Sequence, residues 1–246
     1  MTGLRHDGTF DGLLCALDEA LLSGLTRVLA PEDPPLFLEE AVRTDGGRAR
    51  RFTARLVAAS GTEAVRRLWL ASLAGASGDL LSAYCRRAFV LGRALADDHG
   101  QDEVRQVHRL ARAASVEAHR LAGFLRFARR GEVWYAPCEP DFAVLPIVGN
   151  HIARRFPDSN RIVHDLRRER AALCRDGRFT LIPLARPTSA VEDDEAFPRL
   201  WRTYFRAVTN EARRNEVLQR SRMPRRYWEH LVEEPEGGDD VSGKGC

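Results

Sequence analysis

Four residues in the middle of the chain have side chains suited to acid–base chemistry or to metal binding. Two are His119 and His151, and the other two are the adjacent pair His164 and Asp165. A histidine beside a carboxylate can act as a general base near neutral pH, because the carboxylate favours the protonated ring. If these side chains met in one cleft, they would indicate a nucleic-acid-processing hydrolase or glycosylase-like enzyme. Alternatively, each makes structural hydrogen bonds at a separate place.

No pattern of metal ligands or of cofactor binding accompanies these residues. The cysteines are far apart in the sequence and form no CxxC pair: Cys15, Cys85, Cys138, Cys174 and Cys246. The GxGxxG, P-loop, GxSxG and HExxH motifs do not occur. We therefore predict no bound metal and no cofactor. Scattered cysteines in odd number favour reduced thiols, and we expect a cytoplasmic protein.

A second group of candidates is basic and lies near the C-terminus. Residues 197–219 are predicted to form a helix. Arg199, Arg206 and Arg213 recur along it every seven residues, and Arg220 continues this spacing at its end. Such a stripe could follow a phosphate backbone. It could equally be a solvated helix face. Lys244 is the only lysine of the chain, and in that case the many arginines reflect a codon preference and not a ligand.

The stretch RRYW, at positions 225–228, combines charge with large rings. Tyr227 and Trp228 could stack on unpaired bases while Arg225 and Arg226 neutralise phosphates. The alternative is that the two rings anchor a terminal helix to the core.

The elements that must position these residues are mostly helical in the first half. Hydrophobic periodicity predicts helices at 10–29, 48–59, 62–73, 80–95 and 102–122. They are followed by a strand at 131–140, a helix at 144–156 and a strand at 161–165. Two further strands lie within 169–184 and are joined at Asp176-Gly177, a strong hairpin signal. The prediction is an α+β fold, mainly helical, with a small antiparallel sheet flanked by helices.

We expect a single domain over residues 1–233. It would comprise a helical part at about 1–122, a sheet-containing part at about 123–185 and C-terminal helices at about 196–233, followed by a disordered Gly/Asp-rich tail at 234–246. No apolar run approaches the ~20 residues of a membrane span, so no membrane association is predicted. The net charge of +3 excludes a polycation, so any basic surface must be local.

Several segments also resemble a known bacterial family. They are HDGTFDGLL (6–14), EAHRLAGFLRF (117–127), YAPCEPDFAVLP (135–146), HIARRF (151–156), IVHD (162–165) and LWRTYFRAVTNEARRNEVLQRSRMPRRYW (200–228). The chain is similar, over almost its whole length, to proteins described as DNA metabolism or DNA repair proteins that carry a domain of unknown function. Members of this family are typically encoded beside a radical-SAM DNA modification or repair protein, and related domains are fused to uracil-DNA-glycosylase-like domains.

The resemblance implies a DNA-binding accessory protein that works with a radical-SAM partner. An iron–sulfur cluster would then belong to the partner. The chain departs from the family pattern at two places: His6 replaces a frequent tyrosine, and Phe142 replaces the histidine of an EPDH segment. We therefore assign no role to position 142.

The expected nucleic-acid-binding residues are Arg120, Arg126, Arg154, Arg155, Arg206, Arg213, Arg225, Arg226, Tyr227 and Trp228. Three hypotheses stay open, in this order: a nucleic-acid-binding accessory, a nucleic-acid-processing enzyme with a histidine-lined cleft, and a protein–protein interaction module that does not contact nucleic acid.

Overall fold

The computed structural model describes residues 2–24, 27–36, 38–98 and 100–186. The chain divides into two compact units, Met1–Val116 and Glu117–Cys246. The predicted helix at 197–219 and the predicted tail at 234–246 lie outside the described residues. None of the described helices is both long enough and apolar enough to cross a membrane.

The first unit contains a small sheet and most of the helices. Its elements are β1 (Thr2–Arg5), α1 (Phe10–Ser23), β2 (Arg27–Leu29), β3 (Leu38–Ala41), α2 (Gly46–Ser60), α3 (Thr62–Leu73), α4 (Gly78–Leu91), a 3-10 helix (Gly92–Asp97) and α5 (Asp102–Phe124), whose last residues belong to the second unit. Three helices begin at a side-chain cap, because Thr9, Asp45 and Ser77 each accept a hydrogen bond from a backbone N–H in the first turn.

The sheet of the first unit is parallel and has the strand order β2-β1-β3. The sequence predicted no strands here, and the predicted helix at 10–29 is wrong in its last residues, because α1 ends at Ser23 and β2 follows. Each strand is three or four residues long and is too short to show a clear alternation of polar and apolar residues. The central strand contributes the fully buried Leu4 to a core that it shares with Leu17, Phe52, Leu68 and Tyr84.

The second unit is built on a five-stranded sheet of order β4-β5-β6-β7-β8. Its elements after α5 are β4 (Ala128–Arg130), β5 (Val133–Cys138), α6 (Leu145–Arg155), β6 (Arg161–Asp165), β7 (Arg170–Arg175) and β8 (Arg178–Pro183). The hairpin between β7 and β8 turns at Asp176 and Gly177, which have positive φ values of 51° and 69°. This confirms the predicted hairpin.

The α+β class is confirmed, but the prediction of an antiparallel sheet is wrong for one pair. Strands β5 and β6 are parallel, while the other three pairs are antiparallel. The physical reason is the helix between them, because α6 returns the chain to the end of the sheet at which β5 began. The larger sheet is therefore mixed.

Helix α6 packs closely on the sheet because Gly149 has no side chain. A Cβ atom at this position would lie 2.8 Å from the Cβ atom of Ala172 and 3.0 Å from the ring of Phe179. The thiol of Cys174 contacts the Gly149 carbonyl at 3.4 Å. This packing fixes α6, and with it the side chains at both of its ends, against β7 and β8.

Candidate nucleic-acid interface

The residues predicted to be catalytic differ in their burial. His119 is exposed on α5, His151 is exposed on α6, and His164 is fully buried in β6. Among the described residues, no three His, Cys, Asp or Glu side chains lie close enough together to hold a metal ion.

His164 has two structural partners in the interior of the second unit. Its Nε2 atom lies 2.9 Å from the carbonyl oxygen of Leu184, and its Nδ1 atom lies 2.8 Å from the hydroxyl of Tyr135. Because a carbonyl only accepts, Nε2 carries the hydrogen, and Nδ1 accepts from the tyrosine when the ring is neutral. Burial lowers the pKa of His164. A neutral ring thus links β5, β6 and the residue that follows β8.

Asp165 has a different set of partners. Its Oδ1 atom accepts from the backbone N–H groups of Arg167 (3.1 Å) and Arg168 (3.2 Å), and its Oδ2 atom lies 2.9 Å from the Arg168 guanidinium. Successive residues of a strand point to opposite faces of the sheet. The adjacent histidine and aspartate therefore do not form a His–Asp pair.

A polar clamp holds the turn that follows β5, at residues 139–142. The buried carboxylate of Glu117 accepts from the backbone N–H groups of Asp141 (2.9 Å) and Phe142 (2.8 Å). On the other side of the turn, the Arg168 guanidinium donates to the carbonyl oxygens of Pro140 (3.0 Å) and Asp141. Sequence reasoning did not single out Glu117, since one carboxylate on a helix carries no pattern.

The opposite end of the β5–β6 pair has an aromatic surface around one arginine. The Arg161 guanidinium carbon lies 3.8 Å from the ring centre of Phe156, 4.7 Å from that of Phe127 and 5.5 Å from that of Trp134. These four half-buried side chains are called the arginine box below. A guanidinium at these distances is attracted by the negative ring faces.

The elements explain why these residues meet. Trp134 and Arg161 are direct partners in the parallel register of β5 and β6, so their side chains are neighbours on one face of the sheet. Phe127 immediately precedes β4, which pairs with β5, and Phe156 caps the C-terminal end of α6. The arginine box therefore depends on the whole β4–β5–α6–β6 unit.

Arg161 has unused hydrogen-bonding capacity. Its Nε atom donates to Ser159 Oγ at 3.0 Å, and no carboxylate pairs with it within the part of the chain that the structure describes. Burial lowers its pKa, although a guanidinium remains charged in proteins. The four N–H groups on the two Nη atoms point to no described acceptor. Arg168, by contrast, is paired with Asp165.

More arginines lie around the arginine box. Arg155 contacts the same Phe156 ring at 5.5 Å, and Arg154 beside it is exposed. Both lie in the last turn of α6, where positive charge is favoured by the helix dipole. Arg130 in β4 lies 4.4 Å from the ring centre of Tyr135, on the face of the sheet opposite to Trp134, and so is not part of this group.

Of the other residues predicted to bind nucleic acid, two lie in the described part of the chain. Arg120 is exposed on α5. Arg126 donates to the carbonyl oxygens of Gly123 (3.1 Å) and Leu125 (3.3 Å) and directly precedes Phe127 of the arginine box. The remaining predicted residues lie outside the described part of the chain: Arg206, Arg213, Arg225, Arg226, Tyr227 and Trp228.

The model of a family described as a domain of unknown function, DUF4130, matches residues 76–233. The chain belongs to that family. The matched range contains α4, α5, the whole five-stranded sheet and the RRYW stretch, and it leaves the three-stranded sheet outside. No curated protein and no solved structure matches the chain.

Sequence reasoning found the arginines of α6 but not the arginine box. Its members Phe127, Trp134, Phe156 and Arg161 are spread over 127–161 and share no regular spacing. The usable signals were the two Arg-Phe dipeptides that end at Phe127 and Phe156. Only the parallel pairing of β5 and β6 shows that these two dipeptides lie close together.

Proposed function

We propose that the protein binds nucleic acid through the end of the larger sheet at which β5 and β6 begin. The observation that carries this proposal is the environment of Arg161, a charged side chain among aromatic rings with no described carboxylate partner. Arg154 and Arg155 add positive charge beside it. A phosphodiester backbone supplies the missing anions.

The charge distribution supports the choice of ligand. Carboxylates pair with Arg167, Arg168 and Arg186 at the other end of the sheet, with distances of 2.9–3.3 Å. At the end where β5 and β6 begin, Arg175 pairs with Asp176 at 3.3 Å, but no described carboxylate pairs with Arg154, Arg155 or Arg161. Unpaired arginines at one end offer a local positive field on a chain of net charge +3.

The family resemblance supports a cellular role as an accessory in DNA repair or DNA metabolism. It also supports a radical-SAM protein as the partner, while the scattered cysteines support a cytoplasmic location. Co-purification of the two proteins after co-expression tests the partner directly. If the two proteins do not associate, the accessory role fails even where the isolated chain binds DNA.

The nucleic-acid proposal is tested by fluorescence-anisotropy titration of labelled DNA across a salt series. We expect affinity to fall with salt, with a slope of about −0.7 to −0.9 per neutralised phosphate. Arg154→Gln and Arg155→Gln together should weaken binding. They should also make the salt slope less steep, by the contribution of about one to two phosphate contacts.

The matched control is Arg170→Gln. Arg170 is an exposed arginine at the other end of β7, next to Asp165 in the sheet register, so its loss removes one charge without touching the proposed interface. Binding that is unchanged in the double variant but weakened by the control would contradict the assignment to this surface. A folded wild-type protein that binds no DNA at low salt would contradict nucleic-acid binding and favour a protein–protein interaction module.

A further inference from the structure

We infer that the arginine box is a binding site for an unpaired base and its phosphate, so that the protein prefers single-stranded over duplex nucleic acid. This inference rests on the proposed function and names the form of its ligand. It uses four side chains that lie within one small area: Phe127, Trp134, Phe156 and Arg161.

The aromatic side chains provide the base-binding half of the site. All three are half-buried, so each is held by the fold and also reaches the surface. Every base has a π face, and stacking on aromatic rings or on a guanidinium plane is therefore tolerant of sequence. The rings come from three separate places, before β4, within β5 and directly after α6, so the surrounding elements fix their positions before binding.

The guanidinium provides the phosphate-binding half. Ser159 Oγ accepts from the Nε atom of Arg161 and fixes the orientation of the planar group. The two Nη atoms then present parallel N–H groups, the geometry that pairs with two oxygens of one phosphate. Because the same guanidinium contacts the rings at 3.8–5.5 Å, a phosphate bound to it is followed by a base at stacking distance from the box.

Duplex DNA cannot use both halves at once. In a duplex the bases stack on each other and present only their edges in the grooves. A duplex could place a phosphate on Arg161, but the rings would have no exposed base face to contact. The aromatic half therefore adds affinity for single strands alone.

Anisotropy titrations of a labelled oligothymidine and of the same strand annealed to its complement test this inference at one fixed salt concentration. We expect tighter binding of the single strand, by about tenfold or more for one well-stacked base. The variant Trp134→Leu keeps an apolar side chain in β5 but removes the ring. It should lose most of that preference while duplex affinity stays within about twofold.

A second variant, Phe127→Leu, guards against a fold defect in β5, and thermal melting shows whether each variant is folded. Arg161→Lys keeps the charge without the planar fork, and we expect it to weaken single-strand binding more than duplex binding. Equal affinity of the wild type for both forms, or a preference that folded ring variants retain, would overturn the inference and leave nucleic-acid binding intact. Absence of binding to either form would overturn both.

Discussion

The hydroxyl of Tyr135 and the Nδ1 atom of His164 lie 2.8 Å apart in the interior of the second unit. The two rings meet edge to face, with centres 5.9 Å apart. The other ring nitrogen of the histidine lies 2.9 Å from the Leu184 carbonyl. Both nitrogens are thus satisfied while the ring is neutral, and a protonated ring would be a buried charge without a described carboxylate partner in hydrogen-bonding contact.

This relationship predicts a pH dependence of stability. Burial lowers the pKa of His164 below its ordinary value of 6.5. As the pH falls below about 6.5, the unfolded chain binds the proton first, so the free energy of unfolding decreases until the lower folded-state pKa is reached. Urea unfolding from about pH 7.5 to about pH 5.5 measures this loss, and it should be smaller in His164→Gln.

His6 is the control for this measurement. Burial also lowers its pKa, and it lies in the first unit, so His6→Asn removes a similar titration elsewhere. We expect each variant to remove a part of the pH dependence. An equally steep pH dependence in wild type and His164→Gln would show that the buried histidine does not titrate as proposed.

We expect the Glu117 carboxylate to protect two specific backbone amides from hydrogen exchange. It accepts from the N–H groups of Asp141 and Phe142, which lie in the turn after β5 and outside the strands. Glu117→Ala leaves these groups without their acceptor, and we expect a loss of about 1–3 kcal/mol in stability. Hydrogen exchange resolved by residue should be faster at these two amides than in the wild type.

Arg167→Ala is the matched control for the clamp. Arg167 contacts the Asp141 side chain at 3.3 Å, but both side chains are about half exposed. Exposed ion pairs contribute little, so amide exchange at position 141 should change only slightly. Faster exchange in the control than in Glu117→Ala would contradict the role of Glu117.

The sequence predicted the elements with strong local signals and missed the arrangement that depends on pairing. Helix α3 and strand β6 have the predicted bounds, because Gly61 directly precedes the helix and a turn at 157–158 comes shortly before the strand. The parallel pairing of β5 with β6 was not predicted, since alternation within a strand carries no information about the direction of its neighbour.

The same limit applies to the candidate site. Arg154 and Arg155 could be found because they follow an amphipathic helix and stand together. Arg161 could not, because its importance comes from contacts with Phe127, Trp134 and Phe156, which other elements supply. Conversely, the His164–Asp165 pair was conspicuous in the sequence, but their side chains use different partners.

We expect the removal of the Asp18 charge from α1 to lower the free energy of unfolding. Its carboxylate is buried and lies 2.7 Å from Arg48 and 2.9 Å from Arg55, which come from α2. Asp18→Asn would leave both arginines without this partner, and we expect the free energy of unfolding to fall by about 1–3 kcal/mol, moderated by the partial exposure of the arginines. Glu40→Gln, at an exposed position of β3, should change it by less than about 0.5 kcal/mol. Equal effects of the two variants in urea unfolding would contradict this prediction.

Two glycines in helices predict effects of opposite sign for the same substitution. Gly12 lies in the first turn of α1, where a Cβ atom would collide with Asp7 Oδ1 and lie 2.8 Å from Thr44 Oγ1. Asp7 accepts hydrogen bonds from Thr9 and from Thr44, so the added methyl group would break the tie between the starts of α1 and α2. Gly12→Ala should therefore destabilise the protein by about 1–3 kcal/mol, despite the better helix propensity of alanine.

Gly123 near the end of α5 is the counterpart. A Cβ atom there would meet no atom of the described residues within 4 Å, so Gly123→Ala should stabilise the protein by up to about 1 kcal/mol through helix propensity alone. Urea unfolding of both variants measures the two changes. A stabilising Gly12→Ala would show that Asp7 can move without cost, because propensity would then outweigh the loss of its hydrogen bonds to Thr9 and Thr44.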